Sequence, residues 1–539
     1  MTRKSPFRGL GDMPELAISL GRLDFNRTGA WRYLRPTFAD RPAPCHVACP
    51  AGNFVPQVLH AVSQGELTVA LDWIRRTNPF PALTGRVCYE PCRRHCSRSR
   101  LDEPVSVKVV ERALGELALD TPHEVFPEAR TSACNVAVVG SGPAGLACAC
   151  FLARHGVGVT VYERETALGG MLRIGIPTFR LPRLVLDREI ELLSRLGVRF
   201  VTGAAVGRDL SLEELQQRYA AVFVATGAHR ARRINLECRG RIKMWAGLDF
   251  LRAVNFGHPP EVGPEVVVVG GGNTAIDAAR CARRLGAKVS VVYRRTEAEM
   301  PADPAEVAAA REEGVSFRFL LAPAVAEASG EAMRLICHQM QLGAPDASGR
   351  RRPEPLQDRF AELAATALIL AVGEEPSIEF FRPLPRVLLG GDAASGPATV
   401  PAAIRSGREA AAEILELVGE EWRVSLPRLE GDPVDPEELR WHAFSVQPPM
   451  RRPGRPGVSL EDFGEVDLEL SPEAARQEAE RCLSCGTCNS CGTCWWFCPE
   501  AAVHKADGRY AVDLDYCKGC GICAQECPRG VVRLTGETA

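Results

Sequence analysis

Two segments of the chain repeat one pattern of apolar and polar positions. Each begins with a run of β-branched residues, passes through a glycine-rich turn and an alanine-rich stretch, and ends in a second apolar run. The first is NVAVVGSGPAGLACACFLARHGVGVTVYERE, from Asn135, and the second is EVVVVGGGNTAIDAARCARRLGAKVSVVYRR, from Glu265. Short apolar runs are typical of strands buried on both faces, and the stretch between them has the length of a helix. The pattern predicts two strand–helix–strand units with parallel strands.

Outside this repeat the pattern changes. The first 130 residues predict helices, with amphipathic stretches at 54–78 and 105–119. Prolines are dense between 425 and 458, which predicts an extended, semi-rigid connector. A chain of 539 residues is long for a single core, so three or four domains are expected.

Composition and charge exclude several classes of protein. Hydrophobic residues at 46% and charged residues at 24% are ordinary for a globular protein. A net charge of −2 gives no reason to expect nucleic acid or an anionic membrane as a partner. No apolar run approaches the roughly 20 residues of a membrane helix, and the start of the chain lacks the apolar stretch of a signal peptide. We therefore expect a cytoplasmic protein in a reducing compartment.

The two glycine turns have the spacing of dinucleotide-binding loops. Gly140, Gly142 and Gly145 form G-x-G-x-x-G, and the second turn has Gly270, Gly272 and Ala275. The first glycine permits a tight turn, the second lets the backbone approach a pyrophosphate, and the third position must be small for helix and strand to pack. The pyrophosphate then meets free N–H groups at the helix start. The residues that open the two helices join the predicted sites: Pro143, Ala144, Asn273 and Thr274.

The second strands of the two units end differently. The first ends on Glu163, whose carboxylate suits the hydroxyl pair of a ribose. The second ends on Tyr293, followed by Arg294 and Arg295, two guanidiniums that could bind a 2′-phosphate. This favours NADP over NAD in the second unit. The alternative is that Arg294 and Arg295 are a solvated surface pair.

Fifteen of the 21 cysteines fall into two groups, one near each end of the chain. The groups are Cys45, Cys49, Cys88, Cys92 and Cys96, then Cys482, Cys485, Cys488, Cys491, Cys494, Cys498, Cys517, Cys520, Cys523 and Cys527. The other six lie singly and are interpreted as buried small hydrophobes: Cys134, Cys148, Cys150, Cys238, Cys281 and Cys337. Cysteine-rich chains that are not secreted bind metals or clusters more often than they form disulfides.

The strongest signal is the C-terminal group, which contains C-x2-C-x2-C-x3-C-P twice. In bacterial ferredoxins with this double run, the fourth cysteine of each run binds the other cluster. One [4Fe-4S] cluster then takes Cys488, Cys491, Cys494 and Cys527, and the other takes Cys517, Cys520, Cys523 and Cys498. Zinc is the alternative, but its sites use four ligands in two spaced pairs.

Residues 40 to 415 resemble the two-dinucleotide-binding flavoproteins. The resemblance rests on the two glycine loops, on Ala225-Thr226-Gly227, and on Gly391-Asp392 followed by GPATV. More narrowly, GGMLRIGIP from Gly169 and RLP from Arg180 resemble the small subunit of glutamate synthase and the flavin-binding half of dihydropyrimidine dehydrogenase.

The resemblance implies FAD in the first unit and a nicotinamide nucleotide in the second. Asp392 would accept a hydrogen bond from the ribityl chain, or act only as a turn or N-cap residue. The helix from Pro401 would direct its positive end at the flavin. The resemblance adds to the cofactor sites Gly170, Met171, Arg180, Thr226, Gly227, Gly373, Gly391, Thr399 and Ala402. Hydride transfer needs stacked rings and no acid–base residue, so no catalytic residue is named.

The same resemblance implies a helical iron–sulfur domain around the N-terminal cysteines. In the family this domain holds two [4Fe-4S] clusters and opens with a C-x2-C pair, which this chain lacks there. One family cluster takes a side-chain amide as fourth ligand, and the corresponding position is Glu111. The implied set for one cluster is Cys49, Cys88, Cys92 and Glu111.

Cys482 and Cys485 are not needed by the ferredoxin runs, yet RCLSCG resembles the missing opening pair. One hypothesis is that the C-terminal segment folds back and supplies both to a cluster with Cys45 and Cys96. Fifteen grouped cysteines and Glu111 are sixteen ligands, enough for four cubanes. The alternative is a single N-terminal cluster, with Cys482 and Cys485 free or structural.

We therefore expect a multidomain α/β protein with a helical N-terminal iron–sulfur domain, two Rossmann-type domains and a C-terminal α+β ferredoxin domain. The expected boundaries are 1–130 for the helical domain, 131–255 and 375–420 for the FAD domain, 256–374 for the inserted NAD(P) domain, 421–480 for the connector, and 481–539 for the ferredoxin domain.

The expected activity is electron transfer between NAD(P)H and another polypeptide, through FAD and the clusters. No domain remains for an organic substrate, so the expected partners are catalytic subunits, of the 2-oxoacid:acceptor oxidoreductase type (phenylglyoxylate or pyruvate), or a ferredoxin. Two alternatives remain open: a glutamate synthase small subunit, and a non-catalytic relay scaffold with a vestigial nicotinamide site.

Overall fold

The computed structural model describes residues 27–120, 134–455, 459–506 and 508–537. The start of the chain, for which no signal peptide is expected, lies outside these ranges. The described chain forms two compact units. The large unit is Pro44–Pro427 with Val446–Cys482, and the small unit is formed by the described parts of Met1–Ala43, Arg428–Ser445 and Leu483–Ala539.

The N-terminal part of the large unit is helical. Strand β1 (Leu34–Phe38) belongs to the small unit. The chain then forms α1 (Pro44–Ala48), α2 (Val55–Ser63), α3 (Leu67–Arg75), α4 (Pro81–Val87), α5 (Pro91–Arg94) and α6 (Val107–Asp120). Helices α2, α3 and α6 each bury an apolar face in one shared core, which includes Leu59, Ile74 and Val110. The two predicted amphipathic stretches are thus helical, because only one face of each is apolar enough to leave water.

The first strand–helix–strand unit opens a parallel sheet. Its elements are β2 (Asn135–Val139), α7 (Pro143–Arg154), β3 (Gly158–Tyr162), α8 (Met171–Ile174), α9 (Arg183–Arg195), β4 (Arg199–Val201), α10 (Leu212–Arg218) and β5 (Ala221–Val224). Two short strands follow, β6 (Ala228–Ala231) and β7 (Glu237–Arg239). Strands β2 and β5 are buried on both faces, as their continuous apolar runs predict.

The second unit forms its own parallel sheet. Its elements are β8 (Met244–Ala246), α11 (Gly247–Asn255), β9 (Glu265–Val269), α12 (Asn273–Arg284), β10 (Lys288–Tyr293), α13 (Pro304–Glu312), β11 (Ser316–Phe319) and β15 (Ala367–Leu370). The strand order is β11-β10-β9-β15-β8, with every pair parallel. Strand β8 precedes residue 256, where the domain was expected to begin. A mostly antiparallel sheet of β12 (Leu321–Ser329), β13 (Ala332–Pro345) and β14 (Arg351–Ala365) with β7 interrupts it.

The chain then returns to the first sheet. Strand β16 (Glu374–Pro376) pairs with β6, and β17 (Val387–Leu389) pairs parallel with β5, giving the order β17-β5-β2-β3-β4. Helices α14 (Asp392–Ser395) and α15 (Val400–Leu417) complete this domain. The second domain is therefore inserted in the first, and the predicted fold class is confirmed.

The last elements belong to both units. Helix α16 (Pro472–Glu480) lies in the large unit, within the predicted connector, because its alanines join the core of α2 and α6. The small unit contains α17 (Thr493–Trp496), β18 (Val503–Ala506), β19 (Arg509–Val512), α18 (Ile522–Glu526) and β20 (Val532–Gly536). Strand β20 pairs antiparallel with β1, and β18 with β19.

The structure tests two expectations from the sequence, namely that the six single cysteines are buried and that the chain has no membrane-spanning helix. Cys148, Cys150, Cys281 and Cys337 are buried and Cys134 is half-buried, but Cys238 is exposed, so the prediction of a buried thiol is wrong there. Cys238 lies on β7, whose three residues are all exposed. In the described ranges, no helix combines the length and the hydropathy needed to cross a membrane.

Candidate functional site

A cavity of about 260 Å³ lies at the first glycine loop, where β2 ends and α7 begins. Eleven of the residues predicted for the FAD site line it: Gly140, Gly142, Pro143, Ala144, Glu163, Gly170, Met171, Thr226, Gly227, Asp392 and Thr399. They come from distant parts of the sequence, and the parallel sheet gathers them because its strands end at one edge.

The three glycines of this loop have separate physical roles. Gly140 has φ +104°, and a Cβ there would lie 2.5 Å from the Ala225 carbonyl oxygen. A Cβ on Gly145 would lie 1.9 Å from the Gly140 oxygen, so only glycine lets α7 pack this closely. A Cβ on Gly142 would meet nothing within 4 Å and would project into open space. That space is where a pyrophosphate could approach the backbone.

Two acids in the cavity are already oriented by backbone groups. Glu163 accepts hydrogen bonds from the Ser141 amide at 2.9 Å, from the Ser141 hydroxyl at 2.6 Å and from the Glu165 amide at 2.9 Å. A carboxylate has about four acceptor sites, so Glu163 can still accept a ribose hydroxyl. Asp392 accepts from the Ala398 amide at 3.1 Å, and burial raises its pKa. Asp392 thus orders its turn and also faces the cavity, so the two readings of this residue are compatible.

Two buried polar atoms in the cavity wall have no partner among the described residues. They are Oγ1 of Thr226 and Nδ1 of His229. Burial lowers the pKa of His229 to about 4, and Arg164 and Arg252 add to the effect, so the ring is neutral at pH 7. Buried polar groups without partners are costly, so a polar ligand would stabilise this wall. The residues present therefore fit a dinucleotide with a polar ring and ribityl chain.

Four residues predicted for this site lie outside the lining of the cavity. Gly145, Gly391 and Ala402 support it from behind, as the close approach of Gly391 to Ala144 shows. Arg180 is elsewhere: it is buried and pairs with Asp277 at 2.8 Å and Glu306 at 3.0 Å. Because Asp277 and Glu306 lie on α12 and α13, Arg180 ties the first domain to the second.

A second cavity of about 660 Å³ lies at the second glycine loop. The predicted residues that line it are Gly270, Gly272, Thr274, Arg294, Arg295 and Gly373. Gly270 has φ +146°, and a Cβ there would lie 2.1 Å from the Ala371 oxygen. Asn273 is not in the lining, and its side-chain oxygen instead accepts from the Asp303 amide at 3.0 Å.

The two predicted phosphate-binding arginines have different environments. Arg295 is only 4% exposed, pairs with Asp346 at 2.6 Å and donates to the Arg351 carbonyl at 2.7 Å. It is therefore not part of a solvated surface pair. Arg294 is exposed to the cavity and, among the described residues, forms no ion pair or side-chain hydrogen bond.

Three further arginines in this cavity were missed by the sequence reasoning. They are Arg232, Arg233 and Arg350, of which the first two follow the strand β6 in a basic run, AHRARR. That basic run in the sequence could have predicted a phosphate-binding surface. Arg350 lies at the tip of the β13–β14 hairpin, and nothing in the local sequence indicates that it lines the cavity. The hairpin is held at the cavity by the hydrogen bond from Arg295 to the Arg351 carbonyl. Five arginines against one acid, Glu374, make the cavity strongly attractive to phosphate.

The two cavities approach each other along one short segment. Glu374 lines the second cavity, and Ser377 lines the first. Three residues of extended chain span at most about 10 Å. Burial raises the pKa of Glu374, and the charge of Asp392 raises it further, which places these carboxyls in each other's field. The two cavities therefore lie close to each other in the large unit.

A third cavity in the large unit, called here the inner cysteine cavity, is lined by Cys49, Cys88, Cys92 and Glu111. This is the set that the resemblance implied for one cluster. Oε1 of Glu111 accepts hydrogen bonds from Asn53 at 3.2 Å, Asn78 at 2.7 Å and Thr84 at 3.0 Å. None of these bonds involves Oε2. Burial raises the pKa of Glu111 to about 7, and these three donors oppose the rise.

The inner cysteine cavity adjoins the first cavity at the start of α15. Thr399, Val400 and Ala403 line the first cavity, whereas Pro401 lines the inner cysteine cavity. Consecutive Cα atoms are about 3.8 Å apart, so one turn of a single helix separates the two spaces. Sequence reasoning had assigned the start of this helix to the flavin alone.

In the small unit, two cavities are lined by the two predicted ferredoxin ligand sets. One has Cys488, Cys491, Cys494 and Cys527, and the other has Cys498, Cys517, Cys520 and Cys523. Across the part of the chain that the structure describes, no three Cys, His, Asp or Glu side chains converge closely enough to hold a single metal ion. A cubane, whose irons lie around a larger centre, fits such spaced thiols better than zinc does.

The remaining predicted cysteine ligands are Cys45, Cys96, Cys482 and Cys485, which do not line any of the cavities described above. Cys45, Cys96 and Cys482 are half-buried against the core of α2, α6 and α16. Cys485 falls in the small unit.

Three family profiles match the chain. The pyridine nucleotide-disulphide oxidoreductase profile matches residues 134–407. The profile described as dihydropyrimidine dehydrogenase domain II, 4Fe-4S cluster, matches residues 39–122, and the 4Fe-4S binding domain matches residues 510–533. These matches confirm the predicted cofactors, namely FAD, NAD(P) and 4Fe-4S clusters at both cysteine-rich ends.

Several curated proteins are similar over most of their length. The chain is 36% identical to NADPH-Fe(3+) oxidoreductase subunit beta of Geobacter sulfurreducens (strain DL-1 / KN400), over 82% of this chain and 75% of that protein. It is 34% identical to NADP(+)-dependent formate dehydrogenase subunit beta of Moorella thermoacetica, over 82% and 70%. It is 33% identical to the glutamate synthase [NADPH] small chain of Escherichia coli (strain K12), over 69% and 88%.

Proposed function

The chain belongs to the pyridine nucleotide-disulphide oxidoreductase family, as an NAD(P)H-dependent oxidoreductase with FAD and 4Fe-4S clusters, and from this premise we propose that it carries electrons between NADP(H) and a catalytic partner subunit. When bound, FAD exchanges hydride with the nicotinamide and single electrons with a cluster. The residues of the chain hold the two nucleotides in register and provide a protein path beyond them.

The observation that carries the proposal is the position of α15. Its first turn lines the first cavity through Val400 and Ala403 and the inner cysteine cavity through Pro401. An enzyme that used its flavin only for hydride exchange would not need a cysteine cavity one helical turn away. The positive end of this 18-residue helix faces the first cavity, where it would stabilise negative charge on a reduced ring.

The proposed nicotinamide is NADP(H) rather than NAD(H). Arg294 lies where the 2′-phosphate of the adenosine ribose is expected, and Arg350 reaches the same cavity from the hairpin. Arg295 would act as a positioning residue, because its bonds to Asp346 and Arg351 hold the hairpin beside Arg294. The names of the three relatives above all include NADPH or NADP(+).

The proposed partner is a catalytic oxidoreductase subunit or a ferredoxin that exchanges electrons with the C-terminal clusters. Two of the relatives are named as beta subunits, one of an Fe(3+)-reducing and one of a formate-oxidising enzyme. The 2-oxoacid:acceptor type remains a partner class to test beside these. Co-purification of the native protein, followed by assays of the complex with formate, pyruvate and phenylglyoxylate, identifies the class.

A glutamate synthase small subunit is a weaker candidate. The similarity to that relative covers 69% of this chain, and a double ferredoxin run has no evident use in that reaction. A relay scaffold with a vestigial nicotinamide site is weaker still, because both glycine loops retain their geometry.

The deciding experiment is an anaerobic titration of the iron-replete protein with NADPH and, separately, with NADH, followed through the flavin and cluster absorption bands. We expect NADPH to bleach both bands and NADH to require far higher concentrations. Bleaching of the flavin without the clusters would contradict electron transfer through the chain. Bleaching by neither nucleotide would favour the relay scaffold.

A further inference from the structure

Lys108 lines the inner cysteine cavity together with the ligands that the resemblance implied for a cluster. It is only 7% exposed, and among the described residues its ammonium group forms no ion pair or hydrogen bond. We propose that Lys108 is the counter-charge of the cluster in this cavity and raises the reduction potential of that cluster. The inference rests on the proposed function, in which this cluster exchanges electrons with the flavin, and it names a residue that favours that step.

Helix α6 places Lys108 on the same face as Glu111, because residues three positions apart are neighbours on a helix. Glu111 is the carboxylate ligand implied for the cluster. The backbone amide of Lys108 donates to Oε1 of Glu90 at 3.1 Å, and the Ser106 hydroxyl donates to the same oxygen at 3.1 Å. These bonds hold the first turn of α6, and with it the backbone of Lys108, at the cavity wall.

Other buried cations in this helical domain have acidic partners. Arg86, Arg98 and Arg112 are at least as deeply buried as Lys108, and each forms an ion pair with an aspartate or a glutamate. A lysine is seldom buried without a partner, because taking an ammonium group out of water is costly. An anion bound in the inner cysteine cavity would supply the partner that Lys108 lacks among the described side chains.

The charged groups around Lys108 do not neutralise it. Arg452 and Arg180 add positive charge, whereas Glu90 and Glu306 add negative charge. Glu306 is already paired with Arg180 at 3.0 Å. Burial lowers the pKa of Lys108, and the negative charge of a bound cluster would oppose that effect.

A positive charge at this position has a defined effect on a cluster. A [4Fe-4S] cluster held by three thiolates and a carboxylate is an anion, and one-electron reduction adds a further negative charge, so a fixed cation stabilises the reduced form more than the oxidised form. At an effective dielectric constant of about 20, unit charges within about 12 Å change such an equilibrium by about tenfold or more. Because α15 borders both this cavity and the first cavity, Lys108 would favour electron transfer from a reduced flavin to the cluster.

The test is a potentiometric titration of the full-length, iron-replete protein, followed by electron paramagnetic resonance. Cys88→Ser, which removes an implied ligand, identifies the signal of this cluster. In Lys108→Met we expect the equilibrium constant for reduction of that cluster to fall about tenfold or more, a shift of about 59 mV for one electron, with iron and FAD contents unchanged. Lys108→Arg should keep the potential of the parent protein, because it keeps the charge. Lys288→Met, which replaces an exposed lysine on β10, is the control and should leave every potential unchanged.

Glu90→Gln should shift the potential in the opposite direction. Glu90 lines the same cavity, so removal of its negative charge should raise the potential that Lys108→Met lowers. An unchanged potential in Lys108→Met, or an equal fall in Lys108→Arg, would overturn the proposal. A fall in both Lys108→Met and Glu90→Gln would also overturn it, because loss of structure and not of charge would then explain the shifts.

Loss of the cluster from a variant is decided by iron content. If Lys108→Met loses this iron and Lys108→Arg retains it, the charge is needed to hold the cluster, as expected of a counter-charge. Iron loss from both variants would overturn the proposal, because the shape of the side chain would then matter and not its charge. If Cys88→Ser removes no signal, the cluster itself is absent from this cavity and the proposed electron path fails as well. If Cys88→Ser removes the signal but Lys108→Met does not shift it, the role of Lys108 fails and the electron path remains.

Discussion

The environments of several functional side chains in this protein cannot be predicted from the residues next to them in the sequence. Arg294 and Arg295 are adjacent and both line the second cavity, but Arg294 is exposed whereas Arg295 is buried in a contact with the β13–β14 hairpin. Glu111 lies on an amphipathic helix, and one of its carboxylate oxygens accepts three hydrogen bonds from residues at least 27 positions away in the sequence. The role of each of these side chains therefore depends on the hydrogen-bond and ion-pair partners that the fold brings to it.

Replacing Arg294 with alanine tests the division between the two arginines. We expect the dissociation constant for NADPH to rise by roughly 10- to 100-fold, the effect of losing a charge-assisted hydrogen bond. Binding of NADH should change little, because NADH lacks the 2′-phosphate. Flavin bleaching at increasing nucleotide concentration measures both constants. Arg318→Ala, an exposed arginine outside the cavity lining, is the control, and equal losses for both nucleotides would contradict the assignment.

Glu189 provides a prediction about pH. It is 2% exposed on α9, and burial raises its pKa to about 7, while Arg75 and the Ala82 amide oppose the rise. Since the folded-state pKa exceeds the unfolded value of 4.5, the folded state binds the proton more tightly. Glu189 therefore costs stability progressively as pH rises from about 4.5 to 7, by a total on the order of 3 kcal/mol.

Glu189→Gln removes this dependence. The variant should melt at a higher apparent Tm than the parent protein at pH 8, with a smaller difference at pH 5.5. Glu191→Gln, on the same helix but exposed, should behave like the parent at both values. A lower Tm for Glu189→Gln at pH 8 would show that the ionised carboxylate stabilises the fold.

Among the elements, α15 has the largest consequences, because its first turn borders two cavities and its body packs along α7. The apolar pattern of the chain predicted α7, and the family resemblance implied a helix from Pro401. It did not indicate that they approach closely enough to exclude a methyl group: a Cβ on Gly407 of α15 would lie 2.1 Å from the Ala144 oxygen of α7. Ala144 itself lines the first cavity.

Gly407→Ala should therefore displace α15 and weaken FAD binding. Overpacking of a tight contact costs about 1–3 kcal/mol, so we expect purified protein with substoichiometric FAD and a lowered Tm. Released flavin, measured by fluorescence after gel filtration, gives the occupancy. Gly536→Ala is a matched control, because a Cβ there would meet nothing within 4 Å. Full FAD occupancy in Gly407→Ala would mean that the helices can separate without cost to the site.

At the scale of the whole molecule, the hydrophobic cores of the two units differ in composition. The main core of the large unit is aliphatic and aromatic, with Phe151, Leu186 and Ile414 fully buried. The core of the small unit is built from Val503, Val531 and Val532 together with three predicted cluster ligands: Cys494, Cys523 and Cys527. Small domains with so little apolar core usually need metal or disulfides to stay folded.

Removal of iron should consequently unfold the small unit and spare the large one. After anaerobic chelation we expect trypsin to cut at Lys505, Arg509, Lys518 and Arg529, while a fragment containing residues 134–417 persists with bound FAD. Mass spectrometry of the digest identifies both products, and iron-replete protein digested in parallel is the control. A small unit that resists trypsin without iron would show that its apolar residues suffice.

The sequence by itself determined the features that depend on short-range spacing. The glycine loops, with the strands and helices on either side, follow from local patterns. The two ferredoxin cysteine runs do so too, because each is contained in one short segment of the chain, Cys488–Cys498 or Cys517–Cys527. The family, the fold class and the cofactors could be predicted from these features and are confirmed.

Only the tertiary structure decided which distant residues meet. Cys45, Cys96 and Cys482 pack against one core, a grouping that the sequence offered only as one of two alternatives. The burial of Arg295 under the hairpin and the place of Pro401 beside a second cavity likewise join residues far apart in the chain. Local pattern carries no record of such contacts, because they arise when whole helices and sheets pack. The spatial arrangement of the cavities is therefore a property of packing, whereas the identity of the cofactors is a property of sequence.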